Sequence, residues 1–172
     1  MSTKAKDQII KLPILTTDGQ FLARYSEAGL CGLEFPSGAK RAPREPTTNE
    51  LSSQVSRWHD AMTKALVGAL AGQTPKELPP LDFSSGTSFQ QRVWRTLLQI
   101  ASGRTWTYAQ VAKALGKPNA VRAVGGACGA NPIPVLVPCH RVLAANHRLG
   151  GFSGGLNWKR TLLKREGAQF VG

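Results

Sequence analysis

Residues 107–130 read TYAQVAKALGKPNAVRAVGGACGA, and this stretch predicts two short helices joined by a tight turn. Thr107 and Gln110 have the spacing of a capping box, in which each side chain satisfies a free backbone N–H group at the start of a helix. Gly116 can adopt the left-handed conformation that ends a helix, and a Lys-Pro pair makes the turn. The pattern is typical of a helix-turn-helix, although any small helical domain can contain it.

The second of these helices, expected over residues 119–130, consists mostly of small residues. Arg122 carries its only charge, and its three glycines cost about 1 kcal/mol each relative to alanine inside a helix. Small residues let a backbone approach another helix or a nucleic-acid groove closely. A helix that reads the major groove carries several long polar side chains, so this one fits a minor groove better, with Arg122 free to enter the base stack.

A further helix is expected before this pair. Residues 88–91 fit a capping box headed by Ser88, and the helix would end at Ser102-Gly103. Its apolar face repeats at helical spacing: Phe89, Val93, Leu97 and Ile100.

The N-terminal residues predict a small sheet and one helix. Three β-like runs at 9–15, 21–25 and 30–35 are separated by two glycine-containing turns. After a polar loop at 36–48, apolar residues recur every three or four positions up to Leu70, which predicts a helix capped by Asn49 or Thr48.

Together these patterns predict two domains. We expect an α/β N-terminal domain, with a small antiparallel sheet plus a helix, over residues 1–80. A linker at about 72–86, rich in Pro, Ser and Gly, would join it to a mainly α C-terminal domain over 81–172 with a winged-helix-like helix-turn-helix.

Positive charge is concentrated in the second half of the chain. The 172 residues carry a net charge of +12, of which residues 1–80 hold +2 and residues 81–172 hold +10. Asp82 and Glu166 are the only acidic residues in the second half. This asymmetry indicates a polyanionic partner such as nucleic acid, although a basic protein without such a partner would have the same composition.

Composition argues against several other classes of protein. Hydrophobic residues make up 41% and charged residues 19%, as in globular proteins rather than disordered ones. No apolar run approaches the roughly 20 residues of a membrane span, and residues 1–10 have no signal-peptide pattern. We therefore expect a cytoplasmic protein with no membrane partner. Three widely spaced cysteines predict reduced thiols rather than a disulfide framework.

The chain continues as NPIPVLVPCHRV over residues 131–142, where a β-branched run ends at Pro138 and leads directly into Cys139 and His140. A free thiol is mostly protonated near neutral pH, so a nucleophilic cysteine needs a nearby base and usually a basic setting. Sequence neighbours rarely point at each other, so contact between these two would need a sharp turn or a bridging water. A lone cysteine is more often a small buried apolar residue, and the dipeptide alone does not overturn that.

The signature at residues 138–142, preceded by Asn131-Pro132, resembles the active site of the O6-alkylguanine-DNA alkyltransferases, also called methylated-DNA–protein-cysteine methyltransferases. The resemblance covers about residues 84–168, and the joint occurrence of its motifs is highly specific. The N-terminal part is similar to the family's small α/β domain only in length and element order. The further motifs follow in the family's order and near its spacing: 86–91 with Val93-Trp94, Thr107-Tyr108, 122–125, 151–155 and 162–167.

The resemblance implies DNA repair by direct reversal of damage. A methyl or larger alkyl group would move from O6 of guanine, with O4 of thymine as a second candidate, to Cys139, which keeps it as a thioether. Each molecule would act once, and no cofactor or metal would take part. The product would not be hydrolysed, because a thioether offers water no electrophilic carbonyl. The expected partner is double-stranded DNA containing O6-alkylguanine, bound by a monomer whose cooperation with neighbours on DNA is left open.

The resemblance also assigns roles at the reacting centre. Cys139 matches the alkyl acceptor, His140 the base that acts through a water, and Glu166 the carboxylate that orients the histidine. This is the nucleophile–base–orienter arrangement of a protease triad. Asn131 matches the residue that hydrogen-bonds the turn holding the active site. Without the resemblance, Glu166 would be interpreted as a surface residue paired with a lysine or arginine.

Six further residues match contacts to DNA and substrate in the family: Tyr108, Arg122, Ala123, Gly125, Val142 and Ser153. Arg122 matches the finger that fills the gap left by the extruded base, and Tyr108 the residue that packs against the target phosphate and helps to rotate the nucleotide outward. Ser153 matches the donor that faces O6 as negative charge develops there. The backbone carbonyls of Cys139 and Val142 would accept the guanine amino group.

Three departures from the family pattern are visible. Residues 145–148 read ANHR where the family usually carries Asp-Gly or Asn-Gly, which leaves the loop conformation open. Some members bind zinc in the first domain, but Cys31 and His59 are too few for a four-ligand site. Cys128 is a second thiol on the DNA-facing helix, and we expect it to be a packing residue.

Three alternatives remain. A non-catalytic lesion sensor of the alkyltransferase type would lack the active-site cysteine, whereas Cys139 is present. A Cys–His hydrolase would need an oxyanion site and an acyl groove, and the basic helix bearing Arg122 argues against it. In a minor-groove architectural protein the Pro-Cys-His sequence would be incidental.

Overall fold

Three antiparallel strands form the N-terminal sheet in the computed structural model, which describes residues 9–37 and 52–172. They are β1 (Ile10–Thr16), β2 (Gly19–Ser26) and β3 (Gly29–Glu34), in the order β1-β2-β3. The strands and both hairpin turns lie where the sequence predicts them. Alternate side chains of β1 and β2 enter the core, as a period of two requires: Leu12, Ile14, Phe21, Ala23 and Tyr25.

Helix α1 (Ser53–Leu70) covers this sheet and contacts β1 and β3. Its N-cap is Ser52, whose hydroxyl accepts a hydrogen bond from the backbone N–H of Val55 at 3.2 Å. The predicted cap at Asn49 or Thr48 is wrong, because several polar residues precede the apolar repeat and periodicity alone does not locate a helix end. Those two residues, with most of the loop at 36–48, lie outside the described residues.

The expected linker forms an ordered edge of the sheet. Leu81 makes a parallel bridge with Leu30. The Leu30 N–H donates to the Pro80 carbonyl and the Asp82 N–H donates to the Leu30 carbonyl, both at 2.8 Å. One continuous buried cluster then extends from the sheet into the helices that follow. The division into two domains near residue 80 stays a prediction.

The second part is mainly helical. Among the described residues, no helix combines the length and the apolar character that crossing a bilayer requires. The helix α2 ends before the predicted stop at Ser102-Gly103. The four helices are α2 (Ser88–Leu97), α3 (Tyr108–Ala114), α4 (Val121–Gly129) and α5 (Leu156–Arg165).

Both predicted capping boxes exist, one of them shifted by a residue. The box of α3 is confirmed, with the Thr107 N–H donating to Gln110 Oε1 at 2.7 Å. The box of α2 is headed by Thr87, which pairs with Gln90, and not by Ser88. Thr87 has the extended backbone that an N-cap requires, with φ −62° and ψ 160°, so it rather than the equally suitable Ser88 takes the role.

Helices α3 and α4 form the predicted helix-turn-helix. Gly116 has a φ of +70° in the turn between them, as expected for a left-handed stop. Helix α4 packs against α2 and α3, and the buried Trp94 indole N–H donates to the Ala127 carbonyl at 2.8 Å. The predicted fold class, a small α/β unit followed by a mainly α unit with a helix-turn-helix, is confirmed.

Two very short strands bring the functional segments together. β4 (Trp106–Thr107) and β5 (Val142–Leu143) pair in parallel. The pairing places the start of α3 beside the segment that follows Cys139. Two-residue strands have no detectable period, so the sequence does not predict this contact.

Candidate active site

The loop before Cys139 is organised around Asn131, which is buried. Its amide nitrogen donates to the Val137 carbonyl at 2.8 Å, and its amide oxygen accepts from the Ile133 N–H at 3.0 Å. The same amide nitrogen lies 3.0 Å from Cys139 Sγ. Residues 134–136 form a turn rather than a strand, and Val135 within it has a left-handed φ of +74°. The Asn131 hydrogen bonds to Ile133 and Val137 span this turn. Asn131 thus holds the loop and presents the thiol.

Cys139 opens a 3₁₀ turn, Cys139–Arg141, that leads directly into β5. Its side chain is buried, yet it lines a cavity of about 280 Å³, at the small end of the range for ligand sites. The remaining lining residues come from α3, α4 and the glycine-rich loop before α5: Tyr108, Gly125, Cys128, Gly129, Gly151, Phe152 and Ser153. The sharp turn that contact between Cys139 and its neighbour requires is therefore present.

His140 and Glu166 form a buried pair, 2.8 Å apart between Nε2 and Oε1, with side chains 1% and 2% exposed. Burial lowers the pKa of His140, although the Glu166 carboxylate opposes this. Burial raises the pKa of Glu166, but hydrogen bonds from His140 and Arg141 outweigh it and bring the pKa to about 2. An ionised carboxylate can only accept, so Nε2 carries the imidazole proton and Nδ1 is the basic nitrogen.

The basic nitrogen of His140 is inaccessible to solvent. Within residues 9–37 and 52–172, no atom pairs with this Nδ1. A buried ring nitrogen without a protein partner normally bonds an ordered water. His140 therefore presents a buried basic nitrogen that has room for such a hydrogen bond.

Arg141 adds a third side chain to this pair and supplies the positive charge opposite Glu166. Its Nε lies 3.0 Å from Glu166 Oε2 and its Nη2 lies 2.9 Å from Oε1, while Nη1 donates to the Ile100 carbonyl. Arg141 belongs to the signature at residues 138–142, but the sequence did not predict a role for it. A buried carboxylate needs a compensating charge, and the guanidinium fork supplies it with two parallel bonds.

Lys159 is a second site residue for which the sequence did not predict a role. It is 0% exposed, and its Nζ donates to the carbonyls of Val142 at 2.7 Å and Gly151 at 3.1 Å. Burial lowers its pKa to about 8. A signal was present, because Lys159 falls on the same helical face as Leu162 and Leu163, where an apolar residue is expected.

The resting thiol is protonated. Burial raises the pKa of Cys139 to about 11, although the Asn131 hydrogen bond and the nearby Lys159 charge act in the opposite direction. Lys159 supplies the expected basic setting, but it does not ionise the thiol in the free protein.

The second thiol, Cys128, is buried on α4 and lines the same cavity. Burial raises its pKa to about 12, with the neighbouring Cys139 adding to the shift. Such a thiol is protonated and packed, as the sequence analysis expects of it.

Tyr108 is the first residue of α3 and borders the cavity. Burial, followed by the two nearby thiols, raises its pKa to about 12, so it is a neutral phenol near pH 7. A Cβ built on Gly150 would lie 3.1 Å from the Tyr108 hydroxyl, which places the glycine-rich loop directly against it.

Arg122 and Ala123 are exposed on α4, while Gly125 reaches the cavity. In the described part of the chain, nothing lies within 4 Å of the positions that a Cβ would take at Gly125, Gly126 or Gly129. Helix packing therefore does not account for these glycines. They leave an open, nearly flat face on α4 next to the cavity mouth.

The loop before α5 forms the opposite wall. Gly150 and Gly155 have left-handed φ values of +65° and +89°, and Ser153 is exposed at the rim. Phe152 stands edge-on to the His140 ring, with centroids 6.4 Å apart. The Val142 carbonyl already accepts from Lys159, so a guanine amino group would have to use its second lone pair.

The structure shows the conformation of the loop at residues 145–148, the first of the departures noted above. Asn146 and His147 both have left-handed φ values, +57° and +58°, and the Ala144 N–H donates to the Arg148 carbonyl at 2.8 Å. The ANHR sequence thus forms a tight turn without the usual glycine. Among the described residues no group of three or more His, Cys, Asp or Glu could hold a metal ion.

Several known proteins are similar to this chain in sequence. The family model for the DNA-binding domain of 6-O-methylguanine DNA methyltransferase matches residues 88–168. A methylated-DNA–protein-cysteine methyltransferase of Methanosarcina acetivorans is 40% identical over 87% of this chain and 93% of that protein. One of Mycobacterium tuberculosis is 54% identical over 47% of this chain, a match that spans about half (49%) of the relative's length.

Solved structures extend the similarity to the whole fold. A crystal structure of Mycobacterium tuberculosis OGT in complex with DNA has a TM-score of 0.68 at 36% identity, covering 90% of this chain and 91% of that one. The match to the Methanosarcina relative covers 87% of this chain, so it extends beyond residues 88–168. The chain therefore belongs to the methylated-DNA–protein-cysteine methyltransferase family.

Proposed function

We propose that this chain repairs alkylated DNA by transferring a methyl or larger alkyl group from O6 of guanine in duplex DNA to Cys139. O4 of thymine is a second candidate position. The observation that carries the proposal is the buried set formed by Asn131, Cys139, His140 and Glu166 at the edge of a small cavity. We place the reaction in the cytoplasm, where the protein meets DNA.

The transfer is an in-line displacement at the alkyl carbon. The bond from Cys139 Sγ to this carbon forms as the bond from carbon to guanine O6 breaks. The thiol proton passes through a water to His140 Nδ1, and the imidazolium then returns one proton through water to N1 of the departing guanine, so the protons balance and no co-reactant is needed. Because the thiol pKa is about 11 at rest, proton removal and attack have to be coupled.

The charged groups around the site support this step. Glu166, with a pKa of about 2, stabilises the imidazolium that forms on His140. Lys159 places a positive charge beside the developing thiolate. Ser153 at the rim would donate to O6 as negative charge shifts onto the base.

Access to O6 requires the base to leave the duplex. The open face of α4 supports an approach to the minor groove, where Arg122 would fill the gap in the base stack. Tyr108, at the cavity edge, would contact the phosphate of the rotated nucleotide. We propose residues 81–172 as the DNA-binding and alkyl-acceptor domain, which acts as a monomer. Its strong positive charge supports binding to the DNA backbone.

The test is a mass map of the peptides after incubation with duplex DNA containing O6-methylguanine. We expect one methyl group, gained irreversibly, on the Cys139 peptide. Cys139→Ala should bind the duplex without gaining it, and the matched control Cys31→Ala should behave as the wild type. Binding without modification of the wild type would point to a lesion sensor instead, and repeated turnover would point to a hydrolase.

A further inference from the structure

The N-terminal part contacts the C-terminal part of the chain at Arg165, the residue next to Glu166. The Arg165 guanidinium reaches from the end of α5 to the turn between β1 and β2, where Nη1 and Nη2 lie 2.8 Å and 2.7 Å from the two carboxylate oxygens of Asp18. Nη1 also donates to the Leu70 carbonyl at the end of α1, at 3.0 Å. One side chain thus joins both N-terminal elements to the end of α5.

The backbone on both sides of this side chain is also held. A Cβ on Gly72, just after α1, would overlap the Arg165 carbonyl oxygen, and Gly72 has a left-handed φ of +79°. The Ser102 hydroxyl donates to the Gly72 carbonyl at 2.9 Å. A Cβ on Gly103 would lie 3.0 Å from the Glu166 carbonyl oxygen. The Arg165–Glu166 peptide is therefore enclosed by segments from both halves of the chain.

The position of Asp18 is itself fixed by the hairpin turn. Its N–H donates to the Thr16 hydroxyl at 3.1 Å, and that hydroxyl donates to the Gly19 carbonyl at 2.8 Å. The Asp18 and Arg165 side chains are 19% and 36% exposed. An ion pair so close to solvent contributes little to the free energy of folding. We therefore expect its larger effect to be on the position of the end of α5.

We propose that the β1–β2 turn and the end of α1 act as a clamp on Arg165 that positions the Glu166 carboxylate against His140. Asp18 and Arg165 are positioning residues, since neither touches the reacting atoms. The inference rests on the proposed function, in which Glu166 orients the base. It gives the N-terminal part a role in the chemistry, because a helix end frays unless tertiary contacts hold it.

The test compares Asp18→Ala with Glu34→Ala in the full-length chain. Glu34 also pairs with an arginine of the sheet, Arg24, at 3.7 Å, but within the described residues it makes no hydrogen bond or ion pair with α5, so it controls for the loss of an N-terminal acid. Asp18→Ala should lower the single-turnover rate constant for alkyl transfer by about tenfold, within the roughly 100-fold that a 1 Å misplacement can cost. Glu34→Ala should keep the wild-type rate. The melting temperature should fall by no more than about 2–4 °C in either variant.

A second readout separates positioning from structure. In ¹⁵N NMR, the wild-type His140 ring should be a single tautomer with its proton on Nε2, and Asp18→Ala should give a mixture. Glu166, Arg141 and Lys159, the charged groups that act on His140, are unchanged in this variant. Asp18→Glu keeps the carboxylate and should restore most of the rate and the single tautomer.

A double variant closes the argument. Asp18→Ala/Arg165→Ala should lose no more rate than Arg165→Ala alone, because both act through one contact. Wild-type rate in Asp18→Ala would overturn the proposal. If the wild type transferred no alkyl group, the proposed function would fail, and the NMR comparison would still decide whether the clamp exists.

Discussion

Replacing Glu166 by Gln keeps the shape of a side chain that is 2% exposed but removes its charge. Hydrogen bonds from His140 and Arg141, acting against burial, bring the Glu166 pKa from 4.5 to about 2. At about 1.4 kcal/mol per pKa unit, this shift favours the folded state by about 3 kcal/mol at neutral pH. Leaving Arg141 buried and unpaired costs a similar amount, about 3–5 kcal/mol. We therefore expect Glu166→Gln to lower the free energy of unfolding by about 3 kcal/mol at pH 7.

The same argument predicts the dependence of this loss on pH. A carboxyl whose pKa is depressed in the folded state stabilises it above the unfolded pKa of 4.5, and this stabilisation disappears as the pH falls towards about 2. The difference in the free energy of unfolding between the wild type and Glu166→Gln should therefore become smaller below pH 4.5. Alkyl transfer should slow by about 10²- to 10⁴-fold, as when the orienting acid of a triad is replaced by its amide, because Nε2 no longer has a carboxylate partner.

Urea unfolding at pH 7 and at about pH 3 measures the first effect, and single-turnover transfer to Cys139 measures the second. Glu77→Gln is the control, since Glu77 is exposed and should change neither quantity. A stability loss that is equal at both pH values would refute the argument from the carboxylate charge. An unchanged transfer rate would remove Glu166 from the relay.

Three further changes test other parts of the site. Lys159→Met should slow transfer by about tenfold, because it removes the charge that lowers the Cys139 pKa. It should also raise the pH at which Cys139 reacts with a small thiol reagent, and unchanged reactivity would contradict this. Arg122→Ala should weaken transfer from duplex DNA far more than reaction with free O6-benzylguanine, and equal losses would exclude a finger role. His147→Gly should raise the free energy of unfolding by about 1 kcal/mol in thermal melts, because glycine adopts the left-handed φ of this position without steric strain. Asn146→Gly is the control and should raise it less, because asparagine tolerates this conformation better.

Motifs within a few residues of each other were predictable from the sequence. The hairpin turns, the capping box of Thr107 and Gln110, and the left-handed stop at Gly116 depend on side chains and backbones at fixed short separations. Where two neighbours suit a role equally, as Thr87 and Ser88 do, the same rules are wrong by one residue. The signature motifs around Cys139 carried the resemblance to the family, and the comparisons confirm that the chain belongs to it.

Burial was less accessible to sequence reasoning. Lys159 lies on an apolar helical face, yet a lysine is usually taken to mark an exposed position. Its charge is tolerated because two carbonyls, on segments 8 and 17 residues away, converge on its Nζ. Only packing brings those segments together.

The amino-acid sequence by itself determined the order of elements, the helix-turn-helix and the signature that contains the Cys139 thiol, because these follow from local periodicity, turn chemistry and contiguous motifs. The tertiary structure decided that this thiol is protonated at rest, that His140 Nδ1 is the basic nitrogen, and that Asp18 meets Arg165 across 147 residues. Each of these depends on desolvation or hydrogen bonding by distant segments. Such effects are set by which surfaces pack together, and no short stretch of sequence contains them.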